Sequence, residues 1–168
     1  LRMNDGPRGS GGRAQETYGE DPFHMARMAT GFVVGAQTQV LATAKHYAVH
    51  SGPEPLRHGF DAKASAHDIE DTYLPAFRAA VVEGKVKSVM CVYNAINGVP
   101  GCASEFLLDG TLREQWQFEG FVTGDGAAVR AAKGEGMGGG RGGKRLCPQC
   151  RHHLRAAAIP GVRDHETA

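Results

Sequence analysis

Apolar positions recur at helical spacing in three segments of the chain. The first segment runs from Pro22 to about Gln37, the second follows Ser65 and ends at Gly84, and the third follows Ser104. A residue that can cap a helix precedes each segment, and in the second Ser65 and Asp68 resemble a capping box. The side chains expected to face the core are Phe23, Met25, Ala26, Met28, Ala29, Phe32, Val33, Ile69, Tyr73, Phe77, Ala80, Val81, Phe106, Leu107, Leu112 and Trp116.

Short runs of strand-forming residues alternate with these helices. They lie at Val40 to Tyr47, Ser88 to Tyr93 and Gly120 to Thr123, and a turn is predicted from Asn97-Gly98 to Gly101. Each strand-to-strand connection is long enough for a crossover, so the order predicts an α/β fold with parallel strands and helices outside. In such sheets ligands gather at the carboxyl ends of the strands, and the polar residues expected there are Lys45, His46, Tyr93, Asn94 and Asp125.

Three of these strand ends carry candidate chemistry. A carboxylate at Asp125 can act as a nucleophile, a metal ligand or a general base, and a simple cap of the strand end is the alternative. Lys45 and His46 offer ammonium and imidazole donors for the hydroxyl groups of a polar substrate, or else form part of the surface. Tyr93 can flank a ligand or simply pack.

Composition narrows the choice of partner. The 168 residues include 19 Lys and Arg against 18 Asp and Glu, a net charge of +1, so no global field favours nucleic acid or a membrane surface. No apolar run approaches the roughly 18 residues of a membrane span, and Leu1 to Arg13 lacks the apolar core of a secretory signal. The four cysteines form no disulfide framework that can be read from their spacing.

The two ends of the chain differ in composition from its centre. Residues 1–12 are expected to be disordered, and residues 130–168 are expected to form an unstructured tail, since seven of the ten positions from Gly134 to Gly143 are glycine. A glycine pattern and a near phosphate-loop pattern in this tail lack the strand and helix that such motifs need. A zinc site at Cys147, Cys150, His152 and His153 is a weak alternative, so neither a metal nor a cofactor is predicted.

Four motifs in the central region resemble glycoside hydrolase family 3. They are GRAQETYGEDP at 12–22, AKHYAVHSGPE at 44–54, MCVYNAINGVP at 90–100 and FVTGD at 121–125. Their order matches the β-xylosidase and β-glucosidase branch of that family, and the loop from His50 to His58 looks most like the xylosidase-type members. The resemblance implies that residues 13–129 form part of a (β/α)8 barrel, with about three βα units, and that the parent hydrolyses β-linked sugars with retention of configuration.

The resemblance also implies roles for single residues. Asp125 matches the nucleophile that forms a covalent glycosyl-enzyme. The matching substrate-binding residues are Arg13, Lys45, His46, Met90 and Tyr93. A retaining glycosidase also needs an acid/base carboxyl about 5 Å from its nucleophile. That group normally comes from a later domain, and none of the residues in this chain matches it.

Two readings therefore remain open for the chain itself. In one it is part of an active β-glycosidase that acts on a small oligosaccharide or β-glycoside and takes its acid/base from the C-terminal domain of the parent, whose location is left open, with the periplasm or secretion as options. In the other it is an inactive fragment with at most residual sugar binding. The abrupt change of composition after Val129 suggests the further hypothesis that both ends are translated from another reading frame.

Overall fold

A computed structural model describes residues 16–50, 52, 56, 59–125 and 128. The predictions for residues 1–12 and 130–168, including the zinc alternative, lie outside this part of the chain. The described elements are α1 (Pro22–Ala36), β1 (Thr43–Tyr47), β2 (Asp61–Ala62), α2 (Ala66–Asp68), a first π-helix (Ile69–Tyr73), α3 (Pro75–Val82), β3 (Ser88–Cys91), β4 (Ala95–Ile96), β5 (Val99–Pro100), a 3-10 helix (Gly101–Ala103), a second π-helix (Phe106–Gln115) and β6 (Phe121–Gly124).

The principal sheet is parallel, as the alternation of helices and strands predicts. Its order is β1-β3-β6, with β3 in the centre. Its register aligns Ala44 with Val89, and Val89 with Val122, in a row of buried apolar residues. The pairing of β1 with β3 shifts between Lys45 and Tyr47. The fold is thus mixed α/β, with crossover connections that run through the helices.

The three predicted helical segments begin where their sequence signals predict. The second was predicted as one helix, but it is divided into α2, the first π-helix and α3, which begins at Pro75. The Asp21 carboxylate accepts a hydrogen bond from His24 N–H at 2.6 Å. Ser65 and Asp68 form the reciprocal capping box, with Asp68 N–H donating to Ser65 Oγ at 3.1 Å and Ser65 N–H donating to Asp68 Oδ2 at 3.2 Å. Ser104 Oγ accepts from Leu107 N–H at 3.3 Å. These contacts satisfy backbone donors that a helix start leaves without partners.

Helix α1 packs against α3 through fewer side chains than its apolar content suggests. Its buried residues are Met25, Ala26, Ala29 and Val33. The prediction that Phe23, Met28 and Phe32 face the core is wrong, because these side chains are 73%, 43% and 46% exposed. The buried residues occupy one arc of the helix and these three lie on its flanks, since a helix turns about 100° per residue. Phe106 in the second π-helix is likewise exposed.

Tyr47 connects β1 to α3 and to the second π-helix. Its ring makes edge contacts with Phe77 and Trp116, at centroid distances of 5.1 and 5.9 Å. Its hydroxyl donates to the Leu107 carbonyl at 2.9 Å. Burial raises the pKa of this phenol well above its usual value, and the nearby Glu70 charge raises it further. The hydroxyl therefore stays neutral and keeps its proton for the Leu107 carbonyl.

A smaller sheet, β2-β4-β5, lies beyond the carboxyl end of β3. Strands β4 and β5 form a hairpin whose turn residues, Asn97 and Gly98, have φ of 50° and 85°. These positive values suit the predicted Asn-Gly turn. Asp61 in β2 accepts a hydrogen bond from Gly98 N–H at 2.8 Å, and its pKa is lowered by hydrogen bonds from Lys63 and Gly98.

A disulfide joins Cys91, the last residue of β3, to Cys102 in the 3-10 helix that follows the hairpin. The spacing of the cysteines did not predict this pairing. The bond closes the hairpin onto the end of the central strand, so the segment between them is fixed at both of its ends. None of the helices in the described residues is long and apolar enough to cross a membrane.

Candidate active site

The candidate site lies on the face of the principal sheet opposite the buried row. Lys45, Met90 and Thr123 are register partners across β1, β3 and β6. Each follows a member of the buried row, and successive side chains of a strand point to opposite faces. These three positions are partly exposed, in contrast to the buried row. A transverse row of side chains thus lies just before the carboxyl ends of all three strands.

Asp125 and His46 meet at this edge of the sheet. Asp125 directly follows β6, and its Oδ2 lies 3.1 Å from His46 Nε2. The His46 side chain is 1% exposed and the Asp125 side chain 23%. Since a carboxylate accepts hydrogen bonds, His46 Nε2 carries the proton of this contact. The structure therefore brings together two of the predicted site residues and makes His46 part of the interior rather than of the surface.

His50 and Asn94 extend the contacts of His46 into the interior of the protein. The ring of His50 packs edge-on against the His46 ring, with centroids 4.6 Å apart. His50 Nδ1 lies 3.3 Å from Asn94 Oδ1. Asn94 Nδ2 donates to the Val49 and Ala95 carbonyls at 3.2 and 2.9 Å. Asn94 links the segment after β1 to the start of the hairpin.

The other predicted site residues lie in or next to β1 and β3, or outside the described residues. The Lys45 ammonium is 3.7 Å from Glu16 Oε2, and the two side chains are 27% and 31% exposed. Met90 lies between Lys45 and Thr123 in the transverse row, and Tyr93 packs partly buried against the core. Arg13 falls outside the described residues. A carboxylate, a cation, a methionine and a tyrosine, all partly buried, thus lie in or next to the three strands near their carboxyl ends.

This arrangement suits chemistry on a neutral polar molecule. Asp125 Oδ2 is engaged by a buried imidazole while its side chain remains partly accessible, which is the environment of an oriented nucleophile. No group of three or more histidine, cysteine or acidic side chains in the described ranges is arranged to hold a metal ion.

Sequence reasoning did not assign roles to His50 or to the side chain of Asn94. His50 lies four residues after His46, within the segment that resembles the family, and the sequence indicates Asn94 only as a polar residue at a strand end. Periodicity could not reveal their contact, because it joins two loops that are distant in the sequence. A signal was present in the polar residues that interrupt two otherwise apolar strand ends.

Comparison with known proteins places this geometry in context. The model of the glycosyl hydrolase family 3 N-terminal domain matches residues 2–144. The exo-1,4-β-xylosidase bxlB of Emericella nidulans is 47% identical over an alignment of 130 residues, and the match covers 70% of this chain and 17% of that protein. The chain thus spans about a sixth of the length of that curated relative.

Two solved structures resemble the described fold. A structure of the exo-β-xylosidase XlnD, in complex with a xylobiose aziridine activity-based probe, has a TM-score of 0.66 at 38% identity and covers 71% of this chain and 17% of its own. β-Glucosidase 3B of Thermotoga neapolitana, in complex with glucose, has a TM-score of 0.71 at 33% identity and covers 92% of this chain and 23% of its own.

Proposed function

Because this chain belongs to glycosyl hydrolase family 3, we propose that it is part of a retaining β-glycosidase of the β-xylosidase or β-glucosidase type. The observation that carries the proposal is the position of Asp125 at the carboxyl end of β6, with His46 Nε2 at 3.1 Å. Such strand ends are where the catalytic residues of (β/α)8 barrels lie, and the three βα units would form part of such a barrel.

In the proposed reaction Asp125 attacks the anomeric carbon of a β-linked sugar. A carboxylate oxygen forms a bond to that carbon while the bond to the leaving oxygen breaks, and water later cleaves the resulting ester. The hydrogen bond from His46 holds the carboxylate in one orientation, which reduces the entropy lost on reaching the transition state. Asp71 also lies close to a histidine, with its Oδ2 3.3 Å from His67 Nε2, but both of those side chains are exposed, whereas the imidazole beside Asp125 is buried.

The other site residues near the carboxyl ends of the strands would bind the sugar. Lys45 supplies a donor for its hydroxyl groups, while Met90 and Tyr93 supply apolar surface beside the nucleophile. His46 was predicted to bind the sugar directly, but it is buried with Nε2 against Asp125, so its proposed effect on the sugar passes through that carboxylate. Arg13 is proposed as a further donor from the resemblance alone. Hydrogen bonds of this kind accelerate the reaction when they strengthen as positive charge develops on the ring. No cofactor is needed for this chemistry.

Protonation of the leaving group requires a second carboxyl group about 5 Å from Asp125. We assign that role to none of the residues of this chain and propose that a C-terminal domain of the parent protein supplies it. A substrate whose leaving group departs without a proton would bypass this requirement. The nucleophile can therefore be tested in the chain as it stands.

The test uses 2,4-dinitrophenyl 2-deoxy-2-fluoro-β-D-xyloside and the corresponding glucoside. The fluorine slows breakdown of the glycosyl ester, so intact-mass spectrometry should detect one added fluorosugar, and peptide mapping should place it on Asp125. Asp125→Asn should abolish the adduct, whereas Asp71→Asn, which changes an exposed carboxylate, should retain it. The relative rates with the two sugars would show which sugar the site prefers.

Absence of the adduct in the unaltered chain, with both sugars, would contradict the proposed nucleophile. Saturable binding of xylose or glucose without an adduct would instead favour the second reading, a sugar-binding chain without catalytic activity. An adduct on a carboxylate other than Asp125 would refute the assignment while leaving the reaction class intact.

A further inference from the structure

We propose that His50 and Asn94 are positioning residues that fix the imidazole of His46 against Asp125. The inference rests on the proposed function, because it concerns the orientation of the same nucleophile. Taken as whole residues, His46, His50 and Asn94 are 3%, 7% and 1% exposed. They form a continuous buried path from Asp125 to the hairpin.

The orientation of the Asn94 amide, at the hairpin end of this path, is determined by its surroundings. Asn94 Nδ2 faces two backbone carbonyls, those of Val49 and Ala95, and only an N–H group can satisfy them. The opposite atom of the amide, Oδ1, must therefore face His50. An oxygen can only accept at this contact, so His50 Nδ1 carries a proton. The surroundings of Asn94 thus select the tautomer of His50.

Asn94 is itself held on both sides. Its main-chain carbonyl accepts a hydrogen bond from Gly101 N–H at 3.1 Å, next to the disulfide-bonded Cys102. The following residue, Ala95, is the first residue of β4. The amide therefore belongs to the segment that the hairpin and the disulfide close onto the end of β3. A buried amide fixed in this way restricts the rotation of the His50 ring about its side-chain bonds.

The His50 ring then restricts His46. Edge-on packing at a centroid distance of 4.6 Å leaves the His46 ring little room to turn, since both rings are buried. A rotation of the His46 ring would move Nε2 away from the Asp125 carboxylate. The contacts of His50 that carry this role are those with Asn94 and His46, so its proposed influence on Asp125 passes through His46.

The first experiment measures the tautomers directly. Long-range 15N–1H correlation spectra of the chain, with ring signals assigned from His46→Asn and His50→Asn variants, should show a proton on Nδ1 of His50 and on Nε2 of His46. His50→Phe keeps a ring but loses the donor, and it should shift the His46 signals. His67→Phe alters an exposed histidine and should leave those signals unchanged.

The second experiment measures the rate of labelling by the fluorosugar described above. His50→Phe should lower the inactivation rate constant between about 10- and 100-fold and leave the concentration for half-maximal inactivation nearly unchanged, because misplacement of the nucleophile slows the chemical step rather than binding. His50→Asn keeps an amide donor near the position of Nδ1 but removes the ring that packs against His46, so it should restore only part of the rate. Asn94→Asp tests the amide in a second variant if His50→Phe fails to fold.

The outcomes separate the two proposals. A proton on Nε2 alone of His50 in the unaltered chain, or unchanged His46 signals in His50→Phe, would overturn the positioning role. Equal labelling rates in His50→Phe and the unaltered chain would overturn it as well. If the tautomers and the response of His46 are as expected but no adduct forms with either sugar, the proposed function fails and the structural role of His50 and Asn94 stands.

Discussion

Removal of the Cys91–Cys102 disulfide should destabilise the fold by an amount that follows from its loop. The two cysteines are 11 residues apart, and in the chain-entropy model a loop of that length contributes about 2.8 kcal/mol at 25 °C. The sulfurs are buried, so a double Cys91→Ala/Cys102→Ala variant also loses some packing. Reduced wild-type protein retains both sulfur atoms and isolates the effect of the cross-link.

The assay is urea unfolding followed by the fluorescence of Trp116, the single tryptophan, which is buried against Tyr47. With a slope of about 2 kcal/mol per M, the midpoint should fall by about 1.4 M urea on reduction, and at least as far in the double variant. Mass mapping of the linked peptide confirms the bond before each measurement. A loss below about 0.5 kcal/mol on reduction would refute the reasoning, since it would mean that the closed loop does not restrict the unfolded chain.

Two further perturbations test the backbone and the helix caps. A side chain at Gly120 would overlap the Lys87 carbonyl of the neighbouring segment, so Gly120→Ala should lower the free energy of unfolding by more than about 2 kcal/mol. As the control, Gly35→Ala, in open space within α1, should be neutral or stabilising by up to about 1 kcal/mol. Equal effects of the two variants would contradict the described packing. The hydrogen bonds between Asp68 and Ser65 lower the pKa of the Asp68 carboxyl. The stabilisation that Asp68 gives is therefore complete above its unfolded-state pKa of about 4 and is lost as the pH falls through the lower folded-state value. Ser65→Ala should flatten the dependence of the unfolding midpoint on pH in this acid range, and an unchanged profile would argue against the capping box.

The sequence predicted the elements well where the signals are local. Caps such as Asp21 and Ser65 act within a single helical turn, and the turn at Asn97-Gly98 needs only the two residues that adopt positive φ. The parallel order of the sheet followed from the alternation of helices and strands. Strand β1 begins at Thr43 rather than at Val40, whose exposed side chain continues the apolar run without joining the sheet.

The sequence was less informative where contacts join distant segments. Hydrophobicity indicated that Phe23 and Phe32 would be buried, but helical spacing alone does not say which flank of a helix meets a neighbour. For the site, strand ends pointed to His46 and Asp125 separately, and only the fold shows that they touch. Neither the pairing of Cys91 with Cys102 nor that of His50 with Asn94 has a periodicity that could reveal it.

The row formed by Lys45, Met90 and Thr123 has a consequence for how this protein can change during evolution or engineering. Its alignment depends on the pairing of the strands, whereas the crossover segments between them contribute nothing to that register. A residue inserted into a crossover leaves the row intact, but one inserted within a strand turns every later side chain to the opposite face. The crossover segments can therefore vary in length and sequence while the strands keep this row aligned.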